Sequence, residues 1–406
     1  MDNISHSVVG LATGELLHRS LPKEPATAAQ DTRRRLLLIA CCLASNFPDL
    51  DLLLSWLLPT PLGYLLYHRG HTHTIGYLLP QACFLIGLLY IWPATRRLLK
   101  QSAVARIGLC ASILSGFILH LLMDYLNSYG IHPFYPFDAR WLYGDLVFIV
   151  EPVLWITFGV PLAMMIPKTS LRLFCLTALI GIPLYFTVHG FLLWISLAIL
   201  IALAITMAIL QKKSDARGNN SLWLVFAVGL SFIGLQTLAS AHAKHRLTTY
   251  LTQQDPTSRI LDIAQSPFPA NLLCWQMLSI SRNDQAKSYR MQRYIVSLAP
   301  ALITPSSCPT ALAEENQQQQ KTPAIALLSS EEYSLEKLRY LQQTNCHFNA
   351  WMRFARAPAI DDKHAEDRRF GLTRNFSTLF FDTLSTRHCA KNIPQWRYPR
   401  DDLLTP

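Results

Sequence analysis

The sequence is poor in charge. Only 15% of its 406 residues are Asp, Glu, Lys or Arg, and 51% are hydrophobic, whereas roughly 25% are charged in soluble globular proteins. This deficit excludes an ordinary soluble enzyme, and the apolar content excludes a disordered chain. The first 240 residues hold 27 of the 62 charged side chains, and the remaining 166 hold 35. Two solvents are therefore predicted, lipid for the first part and water for the second.

Several common functional motifs are also missing from the sequence. It contains no Gly-rich phosphate loop, no GxSxG elbow and no solenoid-type repeat, and its C-terminal part has no zinc-finger spacing of Cys and His. The net charge of +10 does not indicate nucleic acid, because the basic residues cluster between apolar stretches and form no basic face with interleaved aromatics. The sequence therefore predicts no nucleic-acid partner.

Long apolar runs are present, and each is close to the ~20 residues that cross a bilayer. They predict spans at 75–93, 107–126, 146–166, 190–210 and 221–240. Segment 172–188 is a further candidate, and 36–58 is interrupted by the polar stretch 46–51, which favours a broken helix or one facing a wet cavity. The predicted fold is an α-helical polytopic membrane protein of about 5–7 spans with a C-terminal α+β soluble domain.

Basic residues in the predicted loops give an orientation. Nine of them follow alternate spans, against two in the intervening loops. The nine are Arg96, Arg97, Lys100, Arg106, Lys168, Arg172, Lys212, Lys213 and Arg217. Because basic loops stay in the cytoplasm, we expect a multi-pass protein of the inner (plasma) membrane whose C-terminal domain is periplasmic.

Three consecutive regions follow from these patterns: a membrane-embedded region over 1–160 that holds the polar site described below, further transmembrane helices over 161–240, and a soluble domain over 241–406. In the soluble part, alternation of apolar and polar residues predicts a strand at 289–296, helical spacing predicts a helix at 331–343, and 314–320 is a linker or surface loop.

Four cysteines of the soluble part predict two disulfides in one of three connectivities, which suits an oxidising compartment. They are Cys274, Cys308, Cys346 and Cys389.

Two carboxylates, Asp49 and Asp51, directly follow Pro48 in an apolar context. Pro presents them from a turn or a helix start, where they can bind a metal or orient an imidazole. Helix capping by Asp49 is the simpler interpretation, but it does not explain the second carboxylate.

The stretch 68–74 reads His-Arg-Gly-His-Thr-His-Thr. Imidazole is a common zinc ligand, and the glycine permits close approach of the backbone. Arg69 adds a fixed cation suited to phosphate or carboxylate. An interfacial loop with hydrated histidines is the alternative.

His120 and Asp124 are four residues apart in a predicted span, so they share one helix face. They can form two metal ligands, or a ligand and the carboxylate that orients it. The next loop contributes Asp145, as a substrate-contacting or orienting group, and Glu151, which can equally cap a helix. The predicted topology brings 68–73, 120–124 and 145–151 to one level near the outer interface, and His6, Asp49 and Asp51 join them if the N-terminal region folds back.

In these residues the chain resembles the membrane-bound metal-dependent hydrolase family, which includes a LexA-regulated inner-membrane member. The resemblance covers about residues 1–160 and lies in the order and spacing of five groups. These are the early His6, Pro-Asp-x-Asp at 48–51, His-Arg-Gly-x-Thr-His at 68–73, His-x-x-x-Asp at 120–124, and Tyr-Gly-Asp with an acid-Pro pair at 143–152. By position it implies a metal site with seven candidate ligands: His6, Asp49, Asp51, His68, His73, His120 and Asp124.

The leading hypothesis is a hydrolase that uses a divalent metal, with zinc as the first candidate. Seven candidates exceed the three protein ligands of a simple catalytic zinc site, so more than one metal would fit. Arg69 and Asp145 are the predicted catalytic residues, and an interfacial site in a lipid bilayer favours a lipid-like ester or phosphoester. The alternatives are a metal or proton transporter, since intramembrane His and Asp also form ion pathways, and a non-enzymatic regulator that acts through the soluble tail.

Overall fold

The computed structural model describes residues 1–213, 220–309, 319–371, 374–382 and 388–405. Its chain divides into two compact units that alternate along the sequence. Unit 1 comprises Met1–Asp49, Thr72–Asn127 and Val147–Leu235, and unit 2 comprises Leu50–His71, Ser128–Leu146 and Gln236–Pro406. The sequence suggested three consecutive regions, whereas two short segments from the first 160 residues belong to the same unit as the C-terminal part.

Unit 1 is helical. Its helices are α1 (Asn3–Ser20), α2 (Thr27–Ala44), α4 (Ile75–Tyr90), α5 (Pro93–Gln101), α6 (Ala103–Tyr125), α7 (Pro152–Met164), α8 (Thr169–Val188) and α9 (Trp194–Lys213). A 3-10 helix over Phe47–Leu57 follows α2, and α10 (Asn220–Gln254) begins in unit 1 and ends in unit 2. Large apolar side chains such as Leu79, Phe174 and Leu238 are exposed, as expected for helices that face lipid.

Five described helical segments are long and apolar enough to cross a membrane: Thr27–Leu57, Ala103–Tyr125, Thr169–Val188, Trp194–Lys213 and Ser221–Gln254. A sixth exists if Leu62–His73 and Ile75–Tyr90 form one broken span. The predicted membrane fold is therefore confirmed, including the candidate at 172–188. The break expected within 36–58 lies at Ser45 and Asn46, between α2 and the 3-10 helix.

Two predicted spans contain helices shorter than a membrane crossing. The segment 146–166 contains only the 13-residue helix α7, and 75–93 contains the 16-residue helix α4. At 1.5 Å per residue these helices reach about 20 and 24 Å, short of a hydrocarbon core of about 30 Å. In the first case Glu151 caps the helix by accepting a hydrogen bond from the backbone N–H of Val153, so the apolar residues before it are not helical.

Glycines let α1, α2 and α6 pack closely. A Cβ added at Gly14 of α1 would lie 2.7 Å from the carbonyl oxygen of Leu37, and one at Gly116 of α6 would lie 2.7 Å from that of Cys41. Close approach of this kind is typical of small residues between membrane helices. It places one face of α1 and one face of α6 against α2, and α1 and α6 carry His6, His120 and Asp124 of the site described below.

Unit 2 contains two antiparallel sheets. The first has the order β1-β2-β3-β5-β4 and the second the order β6-β7-β8. The strands are β1 (Arg259–Pro267), β2 (Cys274–Asn283), β3 (Ser288–Ser297), β4 (Gln319–Thr322), β5 (Ile325–Ser334), β6 (Pro358–Ile360), β7 (His364–Asp367) and β8 (Leu379–Phe380). The helices are α3 (Leu62–Tyr67), α11 (Leu335–Thr344), α12 (Cys346–Met352) and α13 (Asp401–Leu404). The α+β class is thus confirmed.

The predicted strand at 289–296 is β3. The predicted helix at 331–343 is wrong at its start, because its first four residues complete β5 and α11 begins after Ser334, whose hydroxyl accepts a hydrogen bond from the N–H of Lys337. Of the predicted loop at 314–320, residues 314–318 lie outside the described residues, and Gln319 and Gln320 begin β4.

The core of unit 2 combines all three of its chain segments. Leu62, Leu65 and Leu66 of α3 and Trp141 are buried in the same cluster as Trp351 and other residues of the C-terminal part. The indole N–H of Trp396 donates to the carbonyl oxygen of Leu66 at 2.8 Å. The apolar side chains of α3 therefore belong to a soluble-type core.

The four cysteines of the C-terminal part form two disulfides, as predicted. Cys274 pairs with Cys308, and Cys346 pairs with Cys389. The structure thus selects one of the three connectivities that the sequence left open.

Candidate metal centre

Four buried side chains of unit 1 converge from three stretches of chain. Asp49 comes from the 3-10 helix after α2, His73 from the turn before α4, and His120 and Asp124 from α6. One ligand atom from each lies within 4.8 Å of all the others. We call these four residues the His/Asp cluster.

Local sequence explains how each element presents its residue. Pro48 follows the C-terminal end of α2 and starts a tighter helix with Asp49 in its first turn. Thr74 caps α4 by accepting a hydrogen bond from the N–H of Tyr77, which ends the preceding turn at His73. The spacing of four residues on α6 places His120 and Asp124 on one face, as predicted.

The separations within the cluster are close to those of metal ligands. Nε2 of His73 lies 2.9 Å from Nε2 of His120 and 3.2 Å from Oδ2 of Asp124. Oδ1 of Asp49 lies 3.4 Å from Nε2 of His73 and 3.7 Å from that of His120. Tetrahedral ligands at about 2.0–2.2 Å from an ion are roughly 3.3–3.6 Å apart. The four atoms therefore surround a space of the right size for one cation.

A backbone contact fixes the orientation of His120. Its Nδ1 lies 2.7 Å from the carbonyl oxygen of Ser45, and because a carbonyl oxygen only accepts, the ring proton resides on Nδ1. The Nε2 lone pair of His120 then faces His73 and Asp124. Hydrogen bonds of this type hold metal-ligating histidines in their productive tautomer. Nδ1 of His73 contacts the hydroxyl of Thr72 at 3.0 Å.

The donor set also favours a cation on electrostatic grounds, in addition to the amino group of Met1 that contacts Asp124. Asp49 and Asp124 are both buried among apolar helices, and two carboxylates so close together repel strongly where the dielectric constant is low. A divalent cation would balance both charges. Mixed imidazole and carboxylate donors suit zinc, iron or manganese, so the residues fit a divalent metal, and their chemistry does not single out zinc.

His6 lies at the edge of the cluster. Its Nε2 is 3.3 Å from Oδ1 of Asp124, and its ring stacks on that of His120 with centroids 4.2 Å apart. The amino group of Met1 also contacts Asp124. Nδ1 of His6 is buried and has no hydrogen-bond partner among the described residues. The N-terminal region thus does fold back onto the site, as one step of the sequence argument required.

His68 and Asp51 belong to unit 2 and contact each other. Nδ1 of His68 lies 3.0 Å from Oδ1 of Asp51. The group of potential ligands found in the described residues does not include either of them. His71, which occupies the variable position of the His-Arg-Gly-x-Thr-His pattern, lies against the rings of Tyr135 and Trp396. Of the seven predicted ligands, the structure therefore brings four together and places His6 beside them.

Arg69, a predicted catalytic residue, is buried in unit 2 with its guanidinium 4.8 Å from the ring centre of Tyr129. Its φ of 58° is uncommon for a residue with a side chain. The next residue must be small, because a Cβ at Gly70 would lie 2.6 Å from the carbonyl oxygen of Tyr67. The close backbone approach expected at this glycine is therefore present.

Asp145, the other predicted catalytic residue, is held in an ion pair within unit 2. Its two carboxylate oxygens accept hydrogen bonds of 2.9 and 2.8 Å from Arg356, which also donates to Asp262 at 2.7 Å. Arg356 lies over the ring of Tyr143, and burial raises the pKa of that phenol to about 12. Sequence reasoning missed Arg356, since no local pattern links two residues 211 positions apart.

Comparison with known proteins supports a membrane assignment. The family model described as YdjM inner membrane protein matches residues 1–195, a region that contains the whole His/Asp cluster and His6. The uncharacterized protein YfhP of Bacillus subtilis (strain 168) is 26% identical over 157 residues, 39% of this chain. The chain spans only 44% of the length of that relative. No solved structure matches. The candidate spans indicate a multi-pass membrane protein, and the family model that matches describes an inner-membrane protein.

Proposed function

We propose that the His/Asp cluster binds a divalent metal and that the protein is a membrane-bound metal-dependent hydrolase of a lipid-like ester or phosphoester. The observation that carries this proposal is the convergence of four buried ligand atoms within 4.8 Å on apolar helices. Buried carboxylates and imidazoles in membrane helices are costly unless they serve a site. The inner-membrane match supports the lipid environment.

The residues of the chain have distinct tasks in this proposal. A bound divalent cation supplies Lewis acidity, which polarises a carbonyl or phosphoryl oxygen and lowers the pKa of water toward about 7. His120 is held by the Ser45 carbonyl oxygen with Nε2 directed into the cluster. His6 contacts Asp124 and stacks on His120, so it restrains both. Burial of all four ligands keeps bulk water away from the site.

Transport of a metal or proton is less well supported. A pathway through the membrane needs polar groups at several depths, and the spans Thr169–Val188 and Trp194–Lys213 contain no Asp, Glu or His. The regulator hypothesis assigned function to the soluble tail alone. It is weakened because the core of unit 2 also uses residues 50–71 and 128–146.

Metal content of the full-length protein purified in detergent tests the site. We expect stoichiometric zinc, iron or manganese, reduced by more than about tenfold in His120→Ala and in Asp49→Asn. The matched controls are His189→Ala and Asp31→Asn, two exposed residues of unit 1, which should keep the metal. Full metal content in both cluster variants would contradict the ligand assignment.

Hydrolysis is tested separately with a generic ester, p-nitrophenyl butyrate, and a generic phosphodiester, bis-p-nitrophenyl phosphate. We expect turnover of at least one that is abolished by EDTA, restored by added metal and missing in His120→Ala. A metal-loaded protein that cleaves neither would contradict hydrolase function and favour transport or regulation. Turnover that His120→Ala leaves unchanged would assign the activity to a contaminant.

A further inference from the structure

A second polar site lies at the other end of α1. It is a cavity of about 1120 Å³ in unit 1, bounded by the ends of α1, α7 and α9 and by the starts of α2 and α8. Among the residues that the structure describes, six cationic side chains line it, against a single carboxylate, Glu15. The six are Arg19, Lys23, Arg34, Arg172, Lys212 and Lys213. We call this the basic cavity.

Within the described residues, most of the positive charge in the basic cavity is not neutralised. Glu15 accepts hydrogen bonds from Arg19 at 2.8 Å and from Arg34 at 2.7 Å, so one carboxylate is shared by two guanidinium groups. The other four cations have no carboxylate partner in the part of the chain that the structure describes. A concave site with unbalanced charge of one sign concentrates ligands of the opposite sign. The ligand is therefore an anion.

The wall of the cavity is held in place independently of any ligand. Arg33 is fully buried, and its guanidinium donates to the carbonyl oxygen of Pro22 at 2.6 Å and to Glu24 at 3.1 Å. Glu24 also accepts a hydrogen bond of 2.7 Å from Ser102, at the start of α6. The loop between α1 and α2, which carries Lys23, is thus fixed to two helices.

An apolar groove adjoins the basic cavity. It has a volume of about 490 Å³ and lies between α1, α7 and α8, with Leu162, Phe174 and Leu179 among its lining residues. Arg34 and Met165 line both spaces. A cationic cavity that shares a wall with an apolar groove matches a molecule with an anionic head and a hydrocarbon chain.

We propose that unit 1 binds an anionic phospholipid here, with its phosphate in the basic cavity and an acyl chain in the apolar groove. The site is separate from the His/Asp cluster, because Arg19 is 13 residues from His6 on α1, a rise of about 20 Å. Basic loops predict that this end of α1 faces the cytoplasm, where the leaflet surface is anionic. A soluble phosphate compound would use the cations but leave the groove without a function, so the lipid is the ligand that fits both.

Native mass spectrometry of delipidated full-length protein in detergent tests the proposal. Dioleoyl phosphatidylglycerol should bind about tenfold more tightly than dioleoyl phosphatidylcholine. The triple variant Arg172→Ala, Lys212→Ala, Lys213→Ala should weaken phosphatidylglycerol binding by on the order of tenfold to a hundredfold. The matched control is Arg96→Ala, Arg97→Ala, Lys100→Ala, which removes the same charge from an exposed stretch of α5 and should change binding by less than about twofold.

Two further measurements separate the head from the chain. Ala178→Trp fills the apolar groove and should weaken lipid binding while leaving all cations in place. Glycerol 3-phosphate, which has the head but no chain, should compete only at concentrations far above those of the lipid.

Three results would overturn the proposal: equal binding of the two lipids, equal losses in the two triple variants, or competition by glycerol 3-phosphate as strong as by the lipid. The first would show that the cations do not select the lipid, the second would indicate diffuse surface charge, and the third would indicate a site for a soluble anion. Thermal unfolding of each variant checks that it folds. If the variant Arg172→Ala, Lys212→Ala, Lys213→Ala does not fold, the proposal is still tested by the comparison of the two lipids in the wild type and by the Ala178→Trp variant.

Discussion

Both units bury pairs of aspartates, but the partners of these aspartates differ. In unit 1, Asp49 and Asp124 face the Nε2 atoms of two histidines. In unit 2, Asp145 and Asp262 face the guanidinium of Arg356. Two guanidinium groups, those of Arg356 and Arg400, balance the charge of the carboxylates in unit 2, whereas the imidazoles of unit 1 offer further ligand atoms. The same residue type therefore forms a structural ion pair in one unit and a candidate ligand set in the other.

The pKa of Asp262 shows the effect of the cations around it in unit 2. Burial alone would raise this pKa, but the charge and hydrogen bonds of Arg356, with help from Arg400 and Lys244, lower it well below its ordinary value. For a carboxylate with a lowered pKa, the stabilising contribution is present above the ordinary pKa and is lost as pH falls through the folded-state value. At neutral pH the contribution is therefore complete.

The largest effect that we predict comes from removing the cation of unit 2. Arg356→Ala leaves the buried Asp145 without its guanidinium and the half-buried Asp262 with only Arg400, which should lower the free energy of unfolding of unit 2 by about 3–5 kcal/mol. Pulse proteolysis of the full-length protein in urea measures this loss.

The control for this variant is Arg397→Ala, which removes an exposed ion pair with Asp401 and should cost less than about 1 kcal/mol. Equal costs in the two variants would show that the buried pair does not stabilise unit 2, and the contrast with unit 1 would no longer hold.

An intermediate effect should come from chelation. If the cluster of unit 1 holds a metal, its removal by EDTA should lower stability by about 2.7 kcal/mol at a free metal concentration a hundredfold above the Kd. Thermal unfolding with and without EDTA measures this difference. Arg397→Ala should show the full EDTA effect, and His120→Ala should show none. An EDTA effect of wild-type size in His120→Ala would place the metal elsewhere.

The smallest effect is expected from His68→Ala. This histidine contacts Asp51 in unit 2, and the four atoms of the cluster all come from unit 1, so metal content should stay within about twofold of wild type, well short of the loss expected for a ligand. Elemental analysis measures the metal content of His68→Ala and of His73→Ala, a variant that removes a cluster ligand. Loss of metal in both variants would extend the ligand set to the wider group that the sequence pattern implied.

Much of the membrane part was predictable because its signals are local. Hydropathy located Ala103–Tyr125 and Trp194–Lys213, and a spacing of four residues placed His120 and Asp124 on one face. The exceptional polarity of Asp49 and His73 among apolar residues marked them as site residues. Local patterns also identified the cysteines that form disulfides, but not which pairs form.

Long-range pairing limited the rest. Asp49 and Asp51 are separated by one residue, yet one belongs to the His/Asp cluster and the other pairs with His68, a division that depends on how each unit packs. Arg356 carries no signal that relates it to Asp145. The apolar runs at 75–93 and 146–166 suggested full spans because hydropathy measures composition and does not report where a helix begins or ends. In the second run, Glu151 starts the helix five residues after the apolar run begins.

The composite core of unit 2 has a consequence for biosynthesis. Leu66 receives its hydrogen bond from Trp396, a partner that is made 330 residues later. At translation rates of about 5–20 residues per second, the interval is roughly 15–65 s. The core that buries the apolar side chains of α3 is therefore complete only after nearly the whole chain has been synthesised.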